Sequence, residues 1–457
     1  MEIMNNYTGT ILIADLARGA CDTEELSQEL VEQALGGAAI NMALYEKYKD
    51  KDPLIIGTGF FTATFFPCSN LAVLTGKSPI TGKIGHAPLT WQAGVELKLA
   101  GFDFVVLCGA SDRPVRLWLH DGLSDINDSQ DIWGADVWES VDKIREVYGD
   151  DMIQMLVIGP AGENRVSIAQ VSENYWGSKD SFGFGAAFGA KKLKAIAMRG
   201  LGSLEVAEGF FQKCMELKNE ILNGAIKGKA GLKDFIEPLG LDVAIKEKVQ
   251  SATHRLNACY NCPYPCYTFF KYREAPTALA QTGVADPGCL TAGLAGLARF
   301  YALGIDAPQA MEICFKAGLQ PAAAAQILEK KGIKDLAAAE AALRECAADS
   351  TLKADAASPW PCPVSLPPEA GIFSSAVPPQ PVFAPASAFG QGDAGLVWVK
   401  RQALAYIIGM CPIFALLAPE VTNDRVVELV RMSAEWDDFN KETLDTIIEK
   451  LIKQSMS

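Results

Sequence analysis

The sequence predicts an α+β protein: a β-rich mixed N-terminal part followed by mostly α-helical parts. Three observations predict it. Short apolar runs bounded by Gly, Asp or Pro dominate the first 205 residues, as strands do. From about residue 206 the apolar residues recur at helical spacing instead. Nine prolines then crowd between Pro359 and Pro385, interleaved with Ala and Ser, which no regular backbone ladder accommodates. The expected units are residues 1–205, 206–353 and 354–457, three in 457 residues, in keeping with ~150 residues per domain.

Strands are expected at Thr10–Ala14, Pro53–Ile56, Phe102–Cys108, Val115–Leu119 and Met155–Ile158. Helices are expected at Glu24–Leu35, behind a possible cap at Thr23, and at Asp136–Val147. Further on, Ala207–Leu222, Pro321–Lys330, Ala337–Ala348 and Glu442–Lys453 read as helices, and Leu290–Ala302 is apolar nearly all round, as a buried helix is. Trp360, Phe373, Phe383 and Phe389 give the Pro-rich stretch too much apolar surface for a linker, so it reads as an ordered loop packed on the body.

Composition excludes several functions. The net charge of −14 denies the chain the basic face that nucleic acid requires, and it disfavours anionic lipid. The uncharged stretch Gln402 to Pro419 is too short to span a bilayer and contains Pro412. MEIMNNYTGT does not resemble a signal peptide, so the expected location is cytoplasmic. There twelve dilute cysteines read as metal or redox groups before disulfides. Only His86, His120 and His254 are present, which excludes a His-rich metal centre.

The sharpest local signal is Cys259-Tyr-Asn-Cys262-Pro-Tyr-Pro-Cys266, three thiols within eight residues on a Pro-broken loop. Iron–sulfur clusters commonly take four Cys thiolates, the fourth often distant in sequence. Structural zinc prefers two C-x2-C knuckles, and no second knuckle exists. The cluster leads; zinc and a metal-free group of buried cysteines remain alternatives. Spacing alone does not choose the fourth ligand among Cys411, Cys289 and Cys362.

Several blocks occur in a telling order: Gly36-Gly37-Ala38; Lys77-Ser78-Pro79-Ile80-Thr81-Gly82; Glu96 to Asp103 (ELKLAGFD); Ile158 to Asn164 (IGPAGEN); Gly185 to Ile196; the cysteine run; Gly304-Ile305-Asp306; and Gly409-Met410-Cys411. Together they resemble the aldehyde ferredoxin oxidoreductases, tungsten enzymes with two pterins and a four-iron cluster. Tungsten subunits of certain benzoyl-coenzyme A reductases share that superfamily, so the substrate need not be an aldehyde. The resemblance implies a β-rich pterin seat closed over by helical domains. It implies a 4Fe-4S cluster on Cys259, Cys262, Cys266 and Cys411. It implies contacts to a tungsten or molybdenum bis-pterin from Lys77, Ser78, Gly183, Gly185, Gly304, Asp306 and Gly409. It also implies a ferredoxin or other iron–sulfur partner and a homo- or hetero-oligomer.

Departures from the pattern are coordinated. The family's paired pterin motifs begin with an aspartate, where this chain has Tyr301 and Tyr406. Leu71 stands near the place of an arginine that reaches the cofactor phosphates, and Asp180-Ser181-Phe182-Gly183 replaces Gly-Arg-Gly-Gly. The glutamate expected after the cluster cysteines is missing, Glu274 lying in a different context, and no histidine follows His254. The expected function is an oxidoreductase of this type, passing electrons between a buried tungstopterin and the cluster. The alternative is a relay paralogue that keeps the cluster and has lost the pterin.

Overall fold

The structure is a computed structural model that describes residues 5–238, 240–270, 290–352, 367–373, 383 and 386–457. Strands β1 (Thr10–Asp15), β2 (Ala20–Glu25), β3 (Leu54–Thr58), β4 (Ala72–Lys77), β5 (Ile84–Leu89) and β6 (Phe104–Cys108) form one sheet in the order β2-β1-β6-β3-β4-β5. Only β1 and β6 run parallel; the remaining neighbours are antiparallel. Strands β7 (Val115–His120), β8 (Leu123–Asp128), β9 (Gln154–Val157), β10 (Ser172–Glu173), β11 (Trp176–Gly177) and β12 (Leu193–Arg199) form a second sheet in the order β11-β10-β9-β12-β7-β8.

Alternation along each strand sorts residues between two cores. Leu12, Ala14, Leu54, Ile56, Val105 and Leu107 share a core with Leu117, Leu119, Leu156 and Ile196 of the second sheet. Ile11, Ile13, Ile55, Val73 and Val106 point the other way, into a core that continues into the helical part. Successive strand side chains face opposite sides, so one register feeds both layers. The apolar runs read as strands are strands, within a residue or two at each end.

Helix Glu24–Leu35 is a correction. Residues 20–25 pair antiparallel with β1, Thr10 opposite Glu25, and the helix is Gln28–Ala34, capped by the Ser27 side chain. Pairing along an exposed edge overrides a weak helical pattern. Helix Val137–Tyr148 keeps its expected start, with a reciprocal capping box between Asp136 and Glu139.

Beyond residue 206 the described elements are helices, apart from the hairpin of β13 (Thr253–Asn257) and β14 (Tyr267–Phe270). Leu290–Ala302, Pro321–Lys330, Leu336–Ala348 and Lys441–Met456 are helices where helical spacing placed them. Gln402 to Pro419 resolves into the buried end of helix Ala394–Ile408, a glycine turn and helix Pro412–Leu417. No helix among the described residues is long and apolar enough to cross a membrane. Within the Pro-rich region, Phe373 packs on Tyr406, Phe383 on Phe235 and Tyr264, and Phe389 on Trp398; Trp360 lies outside the described residues.

The ELKLAGFD block earns its place structurally. Lys98 and Asp103 form a wholly buried pair at 3.9 Å. Asp103 accepts from the amides of Thr8, Gly9 and Thr10, while Lys98 donates to the Asn6 and Gly59 carbonyls. Burial pushes Lys98 down to about 8. The pair ties the chain start to the loop at residue 59.

Candidate metal centre

The cysteine run forms the loop between β13 and β14, irregular as Pro263 and Pro265 require. Cys262 N–H donates to the Cys259 carbonyl at 3.1 Å, and Cys266 N–H to the Tyr264 carbonyl at 2.9 Å. Asn261, in a left-handed conformation, pins the loop to the β-rich part: its Nδ2 donates to the Phe65 and Phe66 carbonyls at 2.7 and 2.9 Å. Cys411 comes from the opposite side, at the turn after helix Ala394–Ile408. The carbonyls of Ile407, Ile408 and Gly409 at that helix end are taken by Phe60, Phe61 and Leu71 N–H, which satisfies groups a helix terminus leaves open.

Cys259, Cys262, Cys266 and Cys411 are thereby electrostatic neighbours. The structure also brings in a fifth thiol that spacing missed. Cys68 is buried; its N–H donates to the Asn261 carbonyl at 3.0 Å, its carbonyl accepts the Cys411 N–H at 3.4 Å, and its Sγ donates to Asn70 Oδ1 at 3.6 Å. The Cys68 thiol holds Cys411 down at about 6 against burial, helped by the Lys179 ammonium and the Phe414 and Ile413 amides, as at other helix starts. Burial, and then the neighbouring sulfurs, push Cys259 up. Among the described residues no three His, Cys, Asp or Glu side chains stand close enough to share one ion. A cubane asks something different, because each thiolate binds its own iron.

Beside the thiols lies a buried polar group that no motif flagged. Lys179 Nζ donates to Thr90 Oγ1 at 2.6 Å and reaches Tyr267 OH at 3.5 Å. Burial pushes Glu173 up to about 7, opposed by Lys179 and Thr90. Around this group runs an aromatic wall: Trp91 meets Tyr267 at 4.6 Å between ring centres, and Trp176 meets Phe269 at 5.4 Å.

The expected cofactor contacts are scattered or already used. Lys77 is exposed, and Ser78 Oγ donates to the Phe182 carbonyl at 2.8 Å. Asp306 and Gly304 sit on an exposed turn, where the Asp306 carboxylate caps helix Ala307–Ala317. Tyr301 lies under the Lys248 ammonium, while Tyr406 is fully buried. Gly183 borders a cavity of about 310 Å³ lined also by Ile80, Gln320 and Phe373. Lys83 is the one cation among its described lining residues.

Residues 11–200 match the family model described as "Aldehyde ferredoxin oxidoreductase, N-terminal domain". Through this N-terminal domain the chain is similar to the aldehyde ferredoxin oxidoreductase family. Over 241 residues it is 37% identical to "Tungsten-containing aldehyde ferredoxin oxidoreductase" of Pyrococcus abyssi, covering 51% of this chain and 40% of that protein. Over 224 residues it is 30% identical to "Aliphatic sulfonate oxidoreductase, WOR-like subunit" of Pyrococcus furiosus, covering 44% and 36%. The chain thus spans about two fifths of the length of these relatives. In fold it is similar to a chain of the active-site complex BamBC of benzoyl-coenzyme A reductase, solved with 1,5-dienoyl-CoA. The TM-score is 0.76 at 18% identity, over 99% of this chain and 89% of that one.

The family's two cofactors fare differently against these residues. The thiol set suits a four-iron cluster in number and softness. The described residues do not fit a bis-pterin. An added Cβ on Gly409 would lie 2.2 Å from Thr62 Oγ1, so that motif's glycine already meets protein instead of opening on a cradle. At the other glycine block, the buried Asp180 carboxylate accepts the Phe182 and Phe184 amides, each at 2.8 Å. The chain's own carboxylate already takes the amides of this turn. Cys289, Cys362 and Glu274 lie outside the described residues.

Proposed function

We propose that this chain is an iron–sulfur redox protein. Cys259, Cys262, Cys266 and Cys411 hold a 4Fe-4S cluster, and the chain relays single electrons as a subunit of a larger redox assembly. The observation that supports this reading is the approach of the Cys259–Cys266 loop to Cys411, in a chain whose paired pterin motifs carry Tyr301 and Tyr406 in place of aspartate. The cluster supplies one-electron chemistry when bound. The protein's own part is to bury it, keep water out through Trp91, Tyr267 and Phe269, and hold Lys179 as a nearby positive charge. A ferredoxin-like iron–sulfur protein fits as electron partner, and the complex and subunit in the names of similar proteins support membership of an assembly. The expected location is cytoplasmic.

The second reading is a tungstopterin oxidoreductase, favoured by the relatives named as tungsten-containing. Metal analysis of anaerobically purified protein separates the two. The relay reading expects iron near four per chain and neither tungsten nor molybdenum. Tungsten or molybdenum at about one per chain overturns it in favour of the second. Cys411→Ser is expected to lose most of the iron and the cluster absorbance; intact iron in that variant removes Cys411 from the ligand set.

A further inference from the structure

One helix turns an apolar stripe outward beside the cysteine loop. In helix Phe210–Asn223 the residues Phe210, Cys214, Leu217 and Ile221 are buried. Phe211, Met215, Lys218 and Leu222 recur at the same spacing one residue on and form a second stripe, in which Phe211 and Leu222 are exposed. Phe65, from the β-rich part, meets Phe211 edge-on at 4.9 Å between ring centres and is itself 42% exposed. Two exposed phenyl rings in contact, contributed by distant segments and rimmed by polar groups, are a surface of the kind that marks an interaction site.

The patch is tied to the proposed ligands. The Phe65 carbonyl accepts from Asn261 Nδ2 at 2.7 Å, and Lys218 Nζ donates to Asn261 Oδ1 at 2.8 Å. Asn261 precedes Cys262, the one of the four proposed ligands that is partly exposed. At the other end of the same loop, Gly231 N–H donates to the Pro265 carbonyl at 3.1 Å and Leu232 N–H to Thr268 Oγ1 at 3.0 Å. Those bonds hold the segment that carries Lys227, Lys229 and Lys233 against the loop. The nearby carboxylates are taken: Glu216 by Lys213, Glu220 by Arg425, Glu237 by Lys246, and Asp234 by the Ala230 amide. Lys218 and Lys229 donate to neutral oxygens, Asn261 Oδ1 and the Ala225 carbonyl, and Lys227 and Lys233 have no carboxylate partner among the described residues. In a chain of net charge −14, positive charge is left uncompensated at the cysteine loop.

We propose that this face docks an acidic electron-carrier protein. Phe65 and Phe211 make the apolar contact, Lys218, Lys227, Lys229 and Lys233 meet the carrier's carboxylates, and the electron passes beside Cys262. The proposal rests on the cluster reading above and gives its electron partner a place on the chain. Each encounter moves one electron: the carrier is oxidised by one and the cluster reduced by one, or the reverse, and no bond is made or broken. The lysines steer an acidic carrier to this face of an otherwise acidic chain, and the two rings exclude water once it is there.

The test is stopped-flow reduction of anaerobically reconstituted full-length protein by a chemically reduced acidic ferredoxin, with photoreduced deazaflavin as a small neutral reductant for comparison. The ferredoxin rate should fall as salt rises. Lys227→Glu combined with Lys233→Glu should lower it about tenfold at low salt and much less at high salt. Phe211→Ser should lower it about fivefold at every ionic strength. Both variants should keep full iron and the wild-type rate with deazaflavin. Fully loaded variants that react with ferredoxin at the wild-type rate overturn the proposal. So does an equal slowing with deazaflavin, because the residues then act on the cluster and not on a carrier. So does a wild-type dimer that Phe211→Ser makes monomeric, since a second copy then covers the face. Wild-type protein that takes up no iron fails the cluster reading itself, a result distinct from full iron with unaltered rates, which fails the docking face alone.

Discussion

His86 makes the stability of this protein depend on pH in a way that a single substitution isolates. Its ring is fully buried between two sheet strands and the last helix. Asn41 Nδ2 donates to Thr75 Oγ1 at 2.9 Å, so the Thr75 hydroxyl proton is directed at His86 Nδ1, also 2.9 Å away. Ser455 Oγ donates to the Leu451 carbonyl, which leaves it to accept from His86 Nε2–H at 2.8 Å. The chain of donors assigns a neutral imidazole protonated on Nε2, and a second proton on Nδ1 would oppose the Thr75 hydroxyl. Burial accordingly pushes His86 from 6.5 down to about 3. Below pH 6.5 the unfolded chain binds a proton that the folded chain refuses, so stability falls as pH falls, until the folded ring also titrates near pH 3. From pH 7.5 to pH 5 this one group removes about 2 kcal/mol, and near pH 3 roughly 4 kcal/mol. Urea unfolding midpoints of wild type and His86→Gln at the two pH values give the double difference, in which other titrating groups cancel. The variant should lose about 2 kcal/mol less than wild type on acidification to pH 5. Parallel pH profiles would show that the ring is already charged in the fold and refute the argument. The same burial removes His86 as an acid–base group. His120 pairs with Asp125 at 3.5 Å, and His254 is exposed on β13, so no histidine serves the candidate site.

Substitutions at Lys98, Asp103 and Asp180 test how the buried charges support the fold. Lys98→Met should cost about 3–5 kcal/mol by stranding Asp103 in the core, whereas a joint Lys98→Met, Asp103→Leu variant should recover part of that loss; chemical denaturation reads both. Asp180→Ala frees the Phe182 and Phe184 amides without water to replace the carboxylate and should cost about 2–4 kcal/mol, with Asp180→Asn milder because one oxygen remains as acceptor; the thermal midpoint follows the loss.

The strands were legible because Leu54–Thr58 and Phe104–Cys108 are continuous apolar runs with Gly, Asp or Pro at their ends, which only a sheet buried on both faces uses economically. Residues 20–25 were not, because their pattern is polar and their partner β1 lies across a turn. In the candidate site, Cys259, Cys262 and Cys266 announce themselves by spacing. Cys411 emerges only by resemblance, and Cys68 not at all, since the contact that makes it important joins distant parts of the chain. The same holds for Trp91 and Trp176. Each is one aromatic residue in a local pattern, and only the packed structure puts them against Tyr267 and Phe269.

The retained glycine motif at Gly409 is the sharpest case of one residue with two explanations. Its φ of 86° is left-handed, and the three-residue turn it makes delivers Cys411 to the other thiols. A Cβ there would also meet Thr62 Oγ1 at 2.2 Å and Gly59 Cα at 3.1 Å. Reciprocally, a Cβ on Gly59 would fall 2.0 Å from Gly409 N. Two backbones touch at this point, which requires glycine on both sides whether or not a cofactor is present. Gly409→Ala should therefore cost more than the ~1 kcal/mol of a relaxed left-handed site, and Thr62→Ala should not rescue it, since the Gly59 backbone remains in the way. If Gly409→Ala folds with an unchanged unfolding midpoint, the two backbones do not meet at this point and close packing does not explain the glycine. If instead it unfolds while Cys411→Ser loses only iron, the glycine belongs to the fold and the cysteine to the cluster.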